Sequence, residues 1–132
     1  ELAGEFAESI GVAFQIQDDV LNLTADVQEY GKEIGGDISE GKRTLMTIHA
    51  LSHAPSNERK TLLSILNARS KDPKKIRQAI SILGRSGSID YARRFAARLV
   101  AGAWKRFAPV LKRGAARDSL ESFARYLIER ET

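Results

Sequence analysis

Apolar residues recur at helical spacing along the chain, and no segment alternates apolar and polar positions as a half-buried strand does. The period predicts an all-α fold, an antiparallel helical bundle over residues 1–132, because the segments between helices are short. A first helix is expected from about Leu2 to Leu23 or slightly beyond, without a start signal of its own. Residues 30–43, YGKEIGGDISEGKR, hold four glycines among mixed charges and read as a loop. A second helix is expected from near Thr44 to just before Pro55, since the residue before proline disfavours the helical region. Ser56 is the expected cap of a third helix ending near Arg69. Asp72-Pro73 predicts a fourth, with Asp as N-cap and Pro at the first helical position, ending near Gly84–Gly87. Ser88 is expected to cap a longer helix to about Arg113, which Pro109 could kink or end early. Asp118 and Glu121 have capping-box spacing for a last helix through Arg130.

One stretch inverts the usual pattern. Gln15, Asp18, Asp19 and Asn22 are spaced i, i+3, i+4, i+7 and share one helix face. The residues around them, Ile10, Val12, Ala13, Phe14, Ile16, Val20, Leu21 and Leu23, are apolar. A surface helix normally has a broad polar face, so a narrow acidic stripe predicts a helix buried on most sides with the stripe lining a polar cavity. Adjacent buried carboxylates resist ionisation unless a positive charge compensates them. A hard divalent cation such as Mg²⁺ does so, commonly bridging one or two carboxylates to a phosphate. The plain alternative is an exposed acidic helix face.

The loop that follows offers positive charge. Lys32 and Lys42 stand among Gly31, Gly35, Gly36 and Gly41. Glycines let backbone N–H groups approach an anion, and lysine is a mobile point charge for phosphate oxygens. An ordinary surface loop has the same composition. Gly36 to Lys42 also has P-loop spacing, but Arg43 stands where Ser or Thr is required and no strand precedes it, which excludes a nucleotide-triphosphatase.

Composition narrows the classes. Apolar residues make up 42% and charged residues 29% of the chain, an ordinary globular balance. There is no long apolar run, so no membrane span is expected. Cysteine is absent, which excludes thiolate metal sites and fits a reducing cytoplasmic setting. The net charge is +4, with basic residues concentrated from Arg93 to Arg117. Apolar residues interleave them at helical spacing, so this is expected to be a solvated helix face and not a nucleic-acid surface. His49 and His53 have the i, i+4 spacing of a two-histidine metal site, yet no glutamate base stands between them, and helix packing is the expected role.

Phe14 to Asn22 (FQIQDDVLN), then Gly31-Lys32, Gly36-Asp37 and Glu40-Gly41-Lys42-Arg43-Thr44-Leu45, resemble the second aspartate-rich region of trans-isoprenyl (polyprenyl) diphosphate synthases, in the geranylgeranyl-like branch. The likeness is dense over residues 11–51 and continues weakly to Phe123–Arg130. It implies the C-terminal part of the isoprenoid synthase fold. It implies condensation of an allylic diphosphate with isopentenyl diphosphate, with Mg²⁺ as cofactor. By resemblance Asp18, Asp19 and Asn22 hold the metal, and Asn22 stands where the family usually has a third Asp. Lys32 and Lys42 would contact the allylic diphosphate, Gln15 would line the substrate cavity, and Asp18, Asp19 and Lys32 would be catalytic. The family's upstream aspartate-rich motif has no counterpart in these residues, whose other aspartates are isolated. The chain is therefore expected to be inactive alone and to form a homodimer or helix-exchanged oligomer over its uncovered apolar faces. A non-catalytic helical partner derived from the same family is the other reading.

Overall fold

The computed structural model describes residues 1–24 and 34–129. Within them run helices α1 (Leu2–Thr24), α2 (Gly36–Ser39), α3 (Leu45–His53), α4 (Ser56–Ala68), α5 (Pro73–Arg85), α6 (Ser88–Phe107) and α7 (Ala115–Glu129). A 3-10 turn, Ala108–Val110, follows α6. No strand occurs among the described residues.

Helix α6 organises the bundle. It packs along α1 and also touches α3, α5 and α7. Its small buried positions, Ala92, Ala96, Val100 and Ala103, recur at helical spacing and let α1 approach closely. Phe6 of α1 closes the far end, stacked on Phe107 at 4.9 Å and tilted against Trp104 at 5.8 Å. On the other side α4 and α5 pack together, and α2 rests against both. Val20, Ile38, Met46, Leu62, Leu66, Ile82 and Leu83 form the buried centre where these elements meet the end of α1.

Several local signals act as their chemistry requires. The Thr44 hydroxyl caps α3, accepting from the Thr47 N–H at 3.2 Å. Asp72 caps α5, accepting from the Lys74 N–H at 3.0 Å with Pro73 at the first helical position. Arg93, Arg94, Arg98 and Arg106 lie exposed on α6.

Other expectations are corrected. Pro55, not Ser56, is the N-cap of α4, and Ser56 is its first residue. Gly87 precedes α6, and Ser88 is fully buried as its first residue. The Ser88 hydroxyl is taken by His49 Nδ1 at 2.8 Å and the Ser86 hydroxyl at 2.7 Å, a helix-to-helix contact in place of a cap. Helix α6 ends at Phe107, well before Arg113, because Pro109 has no N–H to give the carbonyl one turn back. Helix α7 begins at Ala115, so Asp118 already donates its N–H to the Gly114 carbonyl at 3.1 Å and lies inside the first turn. The stripe-bearing helix is covered less fully than expected, with Phe6 the one buried residue before Ala13. Ala13, Ile16, Gln17, Val20, Leu21 and Leu23 are covered, whereas Val12 and Phe14 are 45% and 39% exposed. Neighbouring elements reach the first half on one side only.

His49 and His53 stack at 4.1 Å, and His49 also stacks on Tyr91 at 4.2 Å, the packing role expected of them. Burial, with His53 and Arg94 nearby, holds His49 below the ordinary histidine value of 6.5. The unfolded chain therefore takes up this proton first. Stability from this group is complete above 6.5 and is lost as pH falls from there towards the lower folded value. The fall in urea midpoint between about pH 7 and about pH 5 is expected to be smaller in His49→Phe than in the unaltered chain. Leu83→Ala, which empties a position with no exposure, is expected to cost about 2–5 kcal/mol in the same assay.

Candidate functional site

The second half of α1 carries the polar stripe towards the loop that leads into α3. Gln15 is exposed, while Asp18, Asp19 and Asn22 are half-buried. Asp19 Oδ1 accepts from Lys42 Nζ at 2.8 Å and from Gln15 Nε2 at 3.1 Å. Only 12% of the Asp19 side chain is exposed. Asp37 Oδ2 lies 3.9 Å from the same ammonium, and Asp18 adds its field to it. The hydrogen bond to Asp19, strengthened by these carboxylates, raises the Lys42 pKa above the ordinary lysine value. Burial pushes the Asp37 carboxyl up; Lys42 pulls it down, and the facing Asp19 carboxylate pushes it up again.

Lys42 reaches α1 because its loop is folded, not slack. Gly35 enters it at φ 84°, and α2 makes a single turn. The Gly41 N–H returns to the Ile38 carbonyl and the Lys42 N–H to the Asp37 carbonyl, both at 2.9 Å. Two glycines are required by shape as well as by backbone angle. A Cβ on Gly35 would collide with the Ile76 side chain of α5. One on Gly41, at φ 68°, would stand 2.7 Å from the Leu66 carbonyl oxygen of α4. Arg43 then ties the loop to α4 by donating to Asn67 Oδ1 at 2.6 Å. The turn seats Lys42 over an apolar floor that includes Leu23, Ile38, Met46 and Leu83.

The donor set suits a hard divalent cation. Asp19 and Asp37 face each other in a partly buried setting, where burial first and the Asp19 carboxylate after it raise Asp37 against the pull of Lys42. Among the described residues no three acidic or histidine side chains enclose a metal position. A cation here would keep open positions for water or ligand oxygens, the habit of Mg²⁺.

The structure thus gathers Gln15, Asp18, Asp19 and Lys42, four of the residues singled out in the sequence. Lys32 lies outside the described residues. Asn22 is engaged with the loop: its Oδ1 accepts from the Asp37 N–H at 3.1 Å and its carbonyl from the Gly35 N–H at 2.9 Å. Asp37, whose residue type and place in the sequence suit a cap or brace for the loop or a water-linked helper of a metal, joins the cluster by facing Asp19. Its position directly after the Gly35-Gly36 pair was the one local sign. The P-loop-like spacing is a helical turn and its flanks, with no strand before it among the described residues.

The chain is similar to known proteins over most of its length. The profile of the family described as "Polyprenyl synthetase" matches residues 1–83. The chain is 41% identical over 127 residues to a short chain isoprenyl diphosphate synthase of Methanothermobacter thermautotrophicus, covering 96% of this chain and 38% of that protein. Its fold is similar to the crystal structure of geranylgeranyl pyrophosphate synthetase from Pyrococcus horikoshii, with TM-score 0.89, 35% identity and coverage of 98% of this chain and 39% of that one. It is also similar to a polyprenyl synthase from Caulobacter crescentus complexed with calcium and isoprenyl diphosphate, with TM-score 0.84, 25% identity and coverage of 97% and 39%. The chain spans less than two fifths of the length of each of these proteins.

Gly41→Ala is expected to lower stability by about 1–3 kcal/mol, the cost of a side chain at positive φ. It should also free Lys42 from Asp19, visible as loss of the raised lysine titration in NMR.

Proposed function

The chain belongs to the polyprenyl synthetase family, and on that premise we propose that it carries the divalent-metal and diphosphate half of a prenyltransferase site. The observation supporting this most strongly is the 2.8 Å contact between Lys42 and Asp19, which unites an oxygen-rich stripe and a phosphate-competent ammonium in one place. The reaction joins an allylic diphosphate to isopentenyl diphosphate. The allylic C–O bond breaks, a carbon–carbon bond forms, a proton is lost and inorganic diphosphate leaves.

Asp18 and Asp19 present carboxylate oxygens for Mg²⁺, and Asn22 has a neutral oxygen on the same face. These residues would hold the cation, which would supply positive charge to offset that of the diphosphate. Lys42 is poised to exchange its contact with Asp19 for one with the diphosphate, neutralising charge that grows as the bond breaks. Lys32, outside the described residues, would take the same role by the family resemblance. Gln15, exposed one turn before Asp19, lines the route to the reacting carbons.

The paired acids Asp18 and Asp19 supply one metal-binding motif, and the chain spans under two fifths of its relatives. In our reading these residues alone do not transfer prenyl groups. Apolar side chains open to solvent, Val12, Phe14 and Ile48 among them, suit association as a homodimer or by helix exchange. No described helix is long and apolar enough to cross a membrane. The non-catalytic reading gains no support from relatives that are themselves named as synthases.

Calorimetry should detect binding of inorganic diphosphate to the purified chain, weak in EDTA and strengthened by Mg²⁺. Asp19→Asn and Lys42→Ala should each weaken it by about tenfold or more, as expected for lost charge-assisted contacts. Undiminished binding by both variants would overturn the assignment. Incubation of the chain with farnesyl and isopentenyl diphosphates should yield no longer product.

A further inference from the structure

Helix α2 has an unusual capping problem. The first N–H groups of a helix lack acceptors, and the N-cap side chain normally provides one. Here the N-cap is Gly35, which has no side chain and cannot acquire one against Ile76. The acceptor comes from another helix: Asn22 Oδ1 takes the Asp37 N–H at 3.1 Å. The same residue solves the opposite problem for α1. Its carbonyl belongs to the last turn, where carbonyls lack intrahelical donors, and it accepts the Gly35 N–H at 2.9 Å. Asn22 therefore holds the entry of α2 by two bonds. The exit of α2 delivers Lys42 to Asp19, one turn earlier on the same face of α1.

We propose that Asn22 is a positioning residue, a remote N-cap for α2 that sets Lys42 on Asp19, and that this role does not require a metal. A carboxamide fits it. It accepts as a carboxylate does, without adding negative charge beside Asp18, Asp19 and Asp37. The consequence for diphosphate binding rests on the function proposed above, while the clamp itself does not.

Amide hydrogen exchange in EDTA, read by NMR on the 132-residue chain, tests the clamp. Asn22→Ala should speed exchange at Asp37 by roughly tenfold, the size of a lost cap, and also at Gly35. Asn22→Asp, which keeps the acceptor, should restore protection at Asp37. Wild-type exchange at Asp37 in a folded Asn22→Ala chain would overturn the proposal. If the alanine variant does not fold, Asn22→Asp decides alone: protection at Asp37 supports the clamp, and its loss overturns it. Binding of inorganic diphosphate separates clamp from ligand. With the clamp, Asn22→Ala weakens binding both in EDTA and with Mg²⁺, and Asn22→Asp rescues the metal-free affinity. A change confined to Mg²⁺-containing samples would assign Asn22 to the metal instead. Should the unaltered chain bind no diphosphate, the functional reading fails, and the exchange data still judge the clamp.

Discussion

A half-buried carboxylate on one helix must meet an ammonium that arrives from a loop, and the packing around the end of α1 is arranged about that meeting. Asp19 and Lys42 are far apart in sequence and 2.8 Å apart in space. The carboxylate, largely screened from water, needs compensation, while the lysine keeps much of its side chain in solvent. The pair is still partly open to solvent on the lysine side, so its own contribution to stability is small. Its value is chemical. On the function proposed for the chain, a diphosphate and a cation would open this contact and take its two partners.

The surrounding helices serve that contact by limiting where the loop can go. Ile76 of α5 stands where a side chain at residue 35 would be, and the Leu66 carbonyl of α4 stands where one at residue 41 would be. Between these walls the chain makes one helical turn and leaves with Lys42 directed at α1. The apolar floor of Leu23, Ile38, Met46 and Leu83 supports the cluster from below. Membership of the polyprenyl synthetase family gives this geometry its chemical setting, and the oxygen donors suit a hard divalent cation without enclosing it.

Much of this was legible beforehand, and the misses share a cause. The Asp72-Pro73 start, the helix start near Thr44 and the acid stripe depend on residues within a turn or two of each other, so spacing reveals them. Ser88 looked like a cap because serine often is one, but its hydroxyl is drawn to His49 on another helix. Residues 34–43 looked like plain loop because a one-turn helix has too few residues to show a period. The stripe helix looked buried on most sides, yet Val12 and Phe14 are exposed, since an apolar sequence records a preference for cover and not its presence.

By itself the sequence determined the helical class, most helix limits and the chemistry of the stripe, because periodicity, capping and side-chain type act through neighbours along the chain. Which lysine meets which acid, where Asp37 lies and what Asn22 holds were decided only when α2 was set between α1, α4 and α5. Those are contacts across long stretches of chain, and no local spacing encodes them.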